Sequence, residues 1–223
     1  MTSVFEEALG ADFQRLHPMM RRRFGVGLDA GEACTGRGVM SSIRRGPWWT
    51  VPFLQIGRLR NILVPDVGED VPFTIENHPY RDELGRETVT FVRTYETKPG
   101  RTARFDATMV LVDGRVLDYL GTHQHLAVDL DLAVDERGGL VLTSDAQRFH
   151  EGPVSFRFPM LLSGRATLHE WWSEDDQAFH VDLEVHNRVF GFLFGYRGTF
   201  TCEWTPATDA PDRLKPVRTE ART

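Results

Sequence analysis

The chain contains 223 residues, of which 41% are hydrophobic, and it carries a formal net charge of −6. This length supports a substantial core, and we expect one domain because no linker interrupts the middle of the chain. The negative charge argues against a general nucleic-acid binder, which needs a basic surface, and no run of roughly 18 uncharged apolar residues is present that could insert stably into a membrane.

The two cysteines, Cys34 and Cys202, lie far apart in the sequence. The N-terminal residues MTSVFEEALG lack the basic start and apolar run of a secretory signal. We therefore expect a cytoplasmic protein with two free, buried thiols.

Helix signals occupy residues 1–25. Ser3 followed by Glu6 is a capping-box pattern, Pro18 can open a second helical turn, and Gly25 can end it. Apolar residues recur near helical spacing at Phe5, Leu9, Phe13 and Leu16. Three arginines follow one another near the end of this region, at Arg21, Arg22 and Arg23. We expect this cluster at a solvated helix end, where cations suit the helix dipole, rather than in a membrane or phosphate patch.

The segment Trp48–Arg60 is apolar without clean alternation, and Pro52 argues against a central strand there, so we expect a short helix or lid. From about residue 71 the pattern becomes that of a β-meander with turn signals such as Asp113-Gly114. The segments with strand character are 71–76, 87–97, 101–112, 115–121, 126–134, 140–143, 167–172 and 179–186.

The longest strand signal lies near the C-terminus. Alternate positions there form an almost wholly aromatic row: Phe190, Phe192, Phe194, Tyr196, Gly198, Phe200, Cys202 and Trp204. Alternation places this row on one face of a strand, and a strand this long must bend. The natural places to bend are Gly191, Gly195 and Gly198. Long bent antiparallel strands are typical of curved sheets and barrels, which often enclose hydrophobic ligands.

These patterns predict a mainly β (α+β) fold. One or two N-terminal helices precede a strongly curved antiparallel sheet or partly closed β-barrel of about nine or ten strands. We expect residues 1–204 to form this single domain. Residues 205–223 are rich in proline and charge, and we expect them to form a disordered tail.

His123 and His125 form an H-x-H pair, which can bind a metal ion when a third donor joins it. Asp118, Glu151 and Glu170 are candidate third donors. In a regular strand the pair faces away from the apolar row that begins at Leu126, so we favour surface histidines over a metal site, and we expect no cofactor.

Four polar residues are candidates for catalysis: Arg93, His169, Glu170 and Tyr196. Arg93 lies in a mostly apolar strand and needs a partner, either Asp106 or Glu170, in a structural ion pair or as an anchor for an anionic group. His169 or Glu170 can move a proton, and Tyr196 can donate a hydrogen bond to a ligand or satisfy the backbone.

Aromatic residues are the candidates for ligand binding. Trp48, Trp49 and Phe53 are available as a lid, and Tyr95, Phe192, Phe194 and Tyr196 as parts of the wall. The polar row His180, Asp182, Glu184 and His186 faces water if the opposite apolar face forms the core; if the sheet curls the other way, this row lines the lumen.

Several motifs resemble the bacterial family called domain of unknown function 4166. They are FEEALGADFQRLHPMMRRRFG, TFVRTYE, LDYLG, RGGLVL, FRFPMLLSGRATLHEWW, FHVDLEV and FGFLFGYRGTF. The resemblance covers about residues 4–204, and its strongest motif comprises Gly191, Leu193, Tyr196 and Gly198. Recurring polar and turn residues of the family match Arg93, Gly121, Pro159 and Glu170. Where the family has a proline before the first motif glycine, this chain has His186-Asn187-Arg188-Val189. The domain also occurs fused to saccharopine-dehydrogenase-like and YndJ-like proteins. The resemblance implies the domain boundaries and no mechanism.

Three functions are consistent with these features. The first is binding of an apolar small molecule, such as a lipid, polyketide or terpenoid, in a β-sheet cavity. The second is a cofactor-independent cyclase, isomerase or lyase that acts on a hydrophobic biosynthetic intermediate. The third is a non-catalytic interaction module, and a homodimer is one candidate assembly.

Overall fold

Ten antiparallel strands of this computed structural model close into a barrel, which follows two short N-terminal helices. The structure describes residues 3–48, 51, 60–62, 66–158 and 163–223. The expectation of a mainly β fold, with N-terminal helices before a strongly curved antiparallel sheet or partly closed barrel, is therefore confirmed, and the barrel is fully closed. No helix in the described ranges is long and apolar enough to cross a membrane.

The two helices are α1, Val4–Leu9, and α2, Pro18–Phe24, with a 3-10 turn at Gly10–Arg15 between them. Ser3 caps α1, because its Oγ accepts a hydrogen bond from the backbone N–H of Glu6 at 3.1 Å. The same hydroxyl donates to the carbonyl of Phe24 at 2.8 Å, which ties the start of α1 to the end of α2. The helices pack on the barrel through Phe5, whose ring lies 5.7 Å from that of Phe91.

The strands, in chain order, are β1 Glu32–Arg45, β2 Gly68–Asn77, β3 Pro79–Arg81, β4 Glu87–Lys98, β5 Arg101–Val112, β6 Arg115–Leu120, β7 Leu126–Val134, β8 Leu140–Glu151, β9 Val154–Arg157, β10 Arg165–Ser173, β11 Ala178–Asn187 and β12 Gly191–Pro206. Neighbours in the sheet follow the order β10-β11-β12-β1-β2-β4-β5-β6-β7-β8. Pairing of β10 with β8, from Thr167 opposite Thr143 to Glu170 opposite Leu140, closes the ring. β3 and β9 pair with β4 and β8 outside this ring.

Alternation decides which side chains enter the barrel. On β11 the apolar residues Phe179, Val181 and Leu183 are buried in the core. The polar row on the opposite face is exposed or partly exposed: Asp182 accepts hydrogen bonds from Arg197, and Glu184 accepts one from Arg44. The row from His180 to His186 therefore faces outward, as expected for a strand with an apolar core face.

The aromatic row of β12 is only partly a core face. Phe194, Tyr196 and Phe200 are buried, whereas Phe190 is exposed. The pairing of β11 with β12 shifts register between Val185 and His186, and Phe192 beyond this irregularity packs against His186 and Arg44. A one-residue shift reverses the face that a side chain occupies, which explains why the row does not continue inward to its N-terminal end.

The C-terminal segment after β12 lies on the barrel, although its composition suggests disorder. Ala210 and Leu214 are buried, and Arg213 pairs with Glu76 at 2.6 Å. The hydroxyl of Tyr119 donates to the carbonyl of Arg222 at 2.9 Å.

A second apolar cluster lies on the outer face of the barrel and includes a residue that the C-terminal segment contacts: Val110, Leu117, Tyr119 and Ala127. Their side chains alternate with the inward-facing residues of the same strands, so they would meet water if nothing covered them. The C-terminal segment meets this cluster at Tyr119, and further hydrogen bonds with Arg86 and Gln124 hold it against the barrel. Its position therefore depends on contacts with residues far away in the sequence, which composition alone does not reveal.

Candidate functional site

A cavity of about 90 Å³ lies inside the barrel. Its lining residues come from the helices and from seven strands: Phe5, Phe24, Phe91, Arg93, Phe105, Met109, Asp118, Leu120, Val128, Leu130, Leu142, Ser144, Ala166, Leu168, Glu170 and Leu183. Most of them are apolar. The polar exceptions are Arg93, Asp118, Ser144 and Glu170, which is the composition expected of a small-molecule site.

Glu170 is held by an arginine of α2. Arg23 Nε donates to Glu170 Oε1 at 2.9 Å, and both side chains are almost fully buried. Burial raises the pKa of Glu170, and the charge of Arg23 offsets part of this rise. Arg23 Nη1 also donates to Asn77 Oδ1 and lies 3.9 Å from Cys34 Sγ, whereas its Nη2 has no hydrogen-bond partner among the described residues.

The burial of Arg23 corrects the expectation that all three arginines form a solvated helix end. Arg21 is partly exposed and Arg22 is exposed, and Arg22 pairs with Glu32 at 3.1 Å. Arg23 instead lies on the buried face of α2, three residues after the buried Met20 and directly before the buried Phe24. Helical spacing from Met20 was the sequence signal for its burial.

Arg93 lies on β4, between Ile75 of β2 and Phe105 of β5. Its guanidinium carbon is 4.8 Å from the ring centroid of Phe105 and 5.6 Å from that of Phe91, so two aromatic faces stabilise its charge. Its Nη1 donates a long hydrogen bond, 3.5 Å, to the carbonyl of Phe91. In the part of the chain that the structure describes, no carboxylate lies within ion-pair distance of Arg93.

Both partners expected for Arg93 are engaged elsewhere. Asp106 accepts a hydrogen bond from Arg104 Nε at 2.6 Å. Glu170 pairs with Arg23, although it faces the same cavity as Arg93. The alternative of a direct structural ion pair with either carboxylate is therefore wrong for the described geometry.

Asp118 faces the cavity from β6, where it lies opposite Met109 of β5 and Val128 of β7. Its Oδ1 is buried without a hydrogen-bond partner among the described residues. Burial raises the pKa of this carboxyl group to about 7, although the charge of Arg93 and a backbone hydrogen bond at Thr108 act in the opposite direction. Asp118 can therefore gain or lose a proton near neutral pH.

Tyr196 and Tyr95 are fully buried in the barrel with their ring centroids 5.8 Å apart. Burial raises the pKa of both phenols, so both stay protonated at neutral pH. Neither hydroxyl has a partner in ordinary hydrogen-bond geometry among the described residues. Both side chains lie in the same core as the cavity walls but outside the cavity lining itself.

His169 lies on the face of β10 that points away from the cavity. Because neighbouring strand residues point to opposite faces, Glu170 faces the interior and His169 faces outward. His169 Nε2 lies 2.7 Å from Asp135 Oδ2, and its ring stacks on Trp171 at 4.6 Å. The structure therefore brings Arg93 and Glu170 to one cavity and leaves His169 on the outer surface.

The aromatic residues expected to bind a ligand are scattered. The side chain of Trp48 is exposed, at 82% relative accessibility, and Trp49 and Phe53 lie outside the described residues. Phe194 is buried beside Tyr196, with ring centroids 6.0 Å apart, but is not part of the described cavity wall. The cavity is lined instead by aromatic residues of α1, α2, β4 and β5, namely Phe5, Phe24, Phe91 and Phe105.

His123 lies in a turn and His125 directly follows this turn, so neither residue lies in a strand. Their rings are stacked, with centroids 5.3 Å apart. His125 Nδ1 lies 2.7 Å from Glu151 Oε2. Within the described ranges, no three His, Cys, Asp or Glu side chains are grouped so that they could hold a metal ion. Asp118 and Glu170, the other two candidate donors, face the barrel interior.

Comparison with known proteins identifies the family of this chain. The chain is similar to the uncharacterized protein YndH of Bacillus subtilis (strain 168), with 29% identity over 202 residues that cover 90% of this chain and 97% of YndH. A family model described as "Domain of unknown function (DUF4166)" matches residues 16–200, most of the chain, and confirms the resemblance seen in its motifs. The chain therefore belongs to the family of the domain of unknown function DUF4166.

Proposed function

We propose that the barrel binds a small, largely apolar molecule in its interior cavity and that Arg93 and Asp118 orient the polar end of this molecule. The supporting observation is the cavity itself, whose apolar wall carries a few convergent polar groups. Arg93 without a carboxylate partner and Asp118 with an unpaired Oδ1 leave donors and an acceptor directed at a bound molecule.

The cavity volume limits the size of this molecule. One buried water needs about 10–15 Å³, so a cavity of about 90 Å³ holds roughly six to nine waters or a ligand with a similar number of heavy atoms. An intact lipid, polyketide or terpenoid is larger than this space. Such a ligand requires Phe5 and Phe24 to move, and both belong to the N-terminal helices that cover the cavity.

Native mass spectrometry tests the proposal, with purified protein analysed before and after organic extraction. A cavity-filling variant, Ala166→Leu, adds a bulky side chain to the wall, and Ala30→Leu is a matched control at an exposed turn. We expect a small organic molecule to accompany the wild type and the control and to be missing from Ala166→Leu. Equal occupancy in all three proteins, or no binding of any small apolar probe, would contradict ligand binding in the cavity.

Acid–base catalysis in the same cavity is a second candidate, and the observation that favours it is Asp118. A carboxyl group with a pKa of about 7 beside a guanidinium can transfer a proton while Arg93 polarises an oxygen of the substrate. This chemistry fits a cofactor-independent isomerase or cyclase. In this proposal Asp118 takes the role that the sequence suggested for His169 or Glu170, because His169 faces outward and Glu170 is held by Arg23.

The variant Asp118→Asn separates catalysis from binding. Once a bound molecule is identified, an enzyme would bind that molecule in the variant but lose its turnover at least about 100-fold, the usual contribution of a general acid or base. Unchanged turnover in Asp118→Asn would exclude this residue as the proton-transfer group. Binding by wild type without any conversion of the molecule would favour the binding function alone.

A further inference from the structure

We infer that the molecule bound in the cavity is a monocarboxylic acid with a short apolar body, and that its carboxylate is held by Arg93. This inference rests on the proposed binding function and adds the chemical class of the ligand. It depends on three features of the cavity: the state of Arg93, the balance of buried charge, and the apolar character of the remaining wall.

Arg93 has N–H groups that donate no hydrogen bond to the described residues. Its side chain is buried, at 6% relative accessibility, yet within the described ranges its one hydrogen bond is the 3.5 Å contact to the carbonyl of Phe91. The rings of Phe91 and Phe105 lie against the guanidinium and occupy its faces. Its N–H groups lie in the guanidinium plane, and this fork matches the two oxygens of a carboxylate better than any single hydroxyl or amine.

The buried charges favour an anion. Arg23 and Glu170 form an internal ion pair at 2.9 Å and balance each other. The groups left are Arg93 and Asp118, since Tyr95, Tyr196 and Ser144 carry no charge near neutral pH. Below pH 7 Asp118 is mostly protonated, because burial raises its pKa to about 7, so the cavity then carries one uncompensated positive charge. A bound carboxylate neutralises this charge, whereas an amine adds a second cation to a desolvated site.

The rest of the wall limits the ligand to one charge. Leu142, Leu168, Leu183 and Val128 offer no hydrogen bond through their side chains, and Ser144, which accepts one from the backbone N–H of Ala166 at 2.7 Å, carries a neutral hydroxyl. A second carboxylate would be buried against these side chains without a positively charged partner, which is strongly unfavourable. A monocarboxylic acid with a short aliphatic or aromatic body meets both conditions, because its carboxylate binds Arg93 and its body contacts the apolar wall.

Three probes of equal length test the inference: hexanoate, 1-hexanol and hexylamine. Each is titrated at pH 6 into protein with isotope-labelled methyl groups, and the dissociation constant is taken from the NMR shifts of Leu142, Leu168 and Val128. Because hydrogen bonds to a charged group are strong, we expect hexanoate to bind about tenfold to 100-fold more tightly than hexanol, and hexylamine to bind most weakly. In Arg93→Met this preference disappears, while Arg197→Met, on the outer face of β12, retains it.

The pH dependence of the wild type is a second measurement, which needs no variant to fold. Above pH 7 Asp118 ionises and neutralises Arg93, so the affinity for hexanoate should fall by up to about tenfold per pH unit, and Asp118→Asn should remove this fall. If hexanol binds as tightly as hexanoate, the carboxylate inference is overturned while the binding function stands. If none of the three probes shifts the cavity methyl groups, both proposals fall.

Discussion

The Nε of Arg23, in the last turn of α2, donates a hydrogen bond of 2.9 Å to Oε1 of Glu170 on β10. This pair joins the N-terminal helices to the strand whose pairing with β8 closes the barrel. It also keeps Glu170 beside the cavity while satisfying its charge. The contact therefore couples the position of α2 to the shape of the cavity.

Removing one partner of the Arg23–Glu170 ion pair should strongly destabilise the folded protein. Glu170→Ala leaves the buried Arg23 without its carboxylate, and we expect a loss of about 3–5 kcal/mol in the free energy of unfolding, measured by urea denaturation. The double variant Arg23→Met/Glu170→Leu replaces both charges with apolar groups and should recover most of this loss.

The exposed pair Arg44–Glu184 is the matched control for that experiment. Its atoms are as close, at 2.8 Å, but the side chains are 48% and 40% accessible, so solvent screens the interaction. Glu184→Ala should cost less than about 1 kcal/mol. Equal losses for Glu170→Ala and Glu184→Ala would show that the buried pair contributes no more than a surface contact.

Asp118 should make the protein less stable as pH rises. Its pKa is about 7 in the folded state and close to 4 in the unfolded chain, so between pH 4 and 7 the unfolded state loses its proton first. This difference favours unfolding, by an amount on the order of 4 kcal/mol once pH exceeds 7. Compared with wild type, Asp118→Asn should therefore gain stability from pH 4 to pH 8, as measured by denaturation at each pH.

Other titrating groups are common to both proteins and cancel in this comparison. Asp113→Asn, in the exposed turn between β5 and β6, is the control for the same substitution outside the barrel interior. A difference between Asp118→Asn and wild type that does not change with pH would contradict the raised pKa of Asp118.

Gly38 allows β1 and β12 to approach closely. A Cβ atom at this position would lie 2.0 Å from the carbonyl oxygen of Thr199, a backbone atom that cannot rotate away. Gly38→Ala should therefore cost about 3 kcal/mol or more, at the upper end of the range for overpacking. Gly85→Ala places its Cβ in open space and meets only the strain of a positive φ of 79°, about 1–2 kcal/mol. Thermal denaturation of the two variants should rank them in this order.

Removing the C-terminal segment should destabilise the barrel. Truncation after residue 206 removes, among other contacts, the hydrogen bonds from Tyr119 to the carbonyl of Arg222, from the N–H of Glu220 to Gln124, and from Arg86 to the carbonyl of Glu220. At about 1 kcal/mol each, these bonds alone predict a loss of about 3 kcal/mol.

Hydrogen exchange tests the same point in the intact chain. The backbone N–H of Val217 donates to the carbonyl of Thr122 at 2.7 Å and should exchange slowly. Unprotected amides from residue 207 onward, together with unchanged stability on truncation, would restore the interpretation of this segment as a disordered tail.

The helical cap, most strands and the position of Arg93 in a mostly apolar strand could be predicted because they depend on local patterns. Ser3 caps α1, and Val89, Phe91, Arg93 and Tyr95 form one face of β4. The role of Asp118 could not be predicted in this way. Its strand β6 carries apolar residues on both faces, Val116 and Leu120 on one and Leu117 and Tyr119 on the other, so alternation did not identify the inner face.

The sequence by itself determined a strongly curved antiparallel sheet or partly closed barrel with a short helical N-terminus, because alternation and capping act between residues close in the chain. Only the tertiary structure decided which polar groups share the interior. Arg23 meets Glu170 across 147 positions, and its burial requires α2 to dock over the barrel. The C-terminal segment is likewise held by hydrogen bonds with Arg86, Tyr119 and Gln124, which come together only after the strands have paired. Burial and charge pairing between distant segments depend on packing, so these features emerge only in the folded barrel.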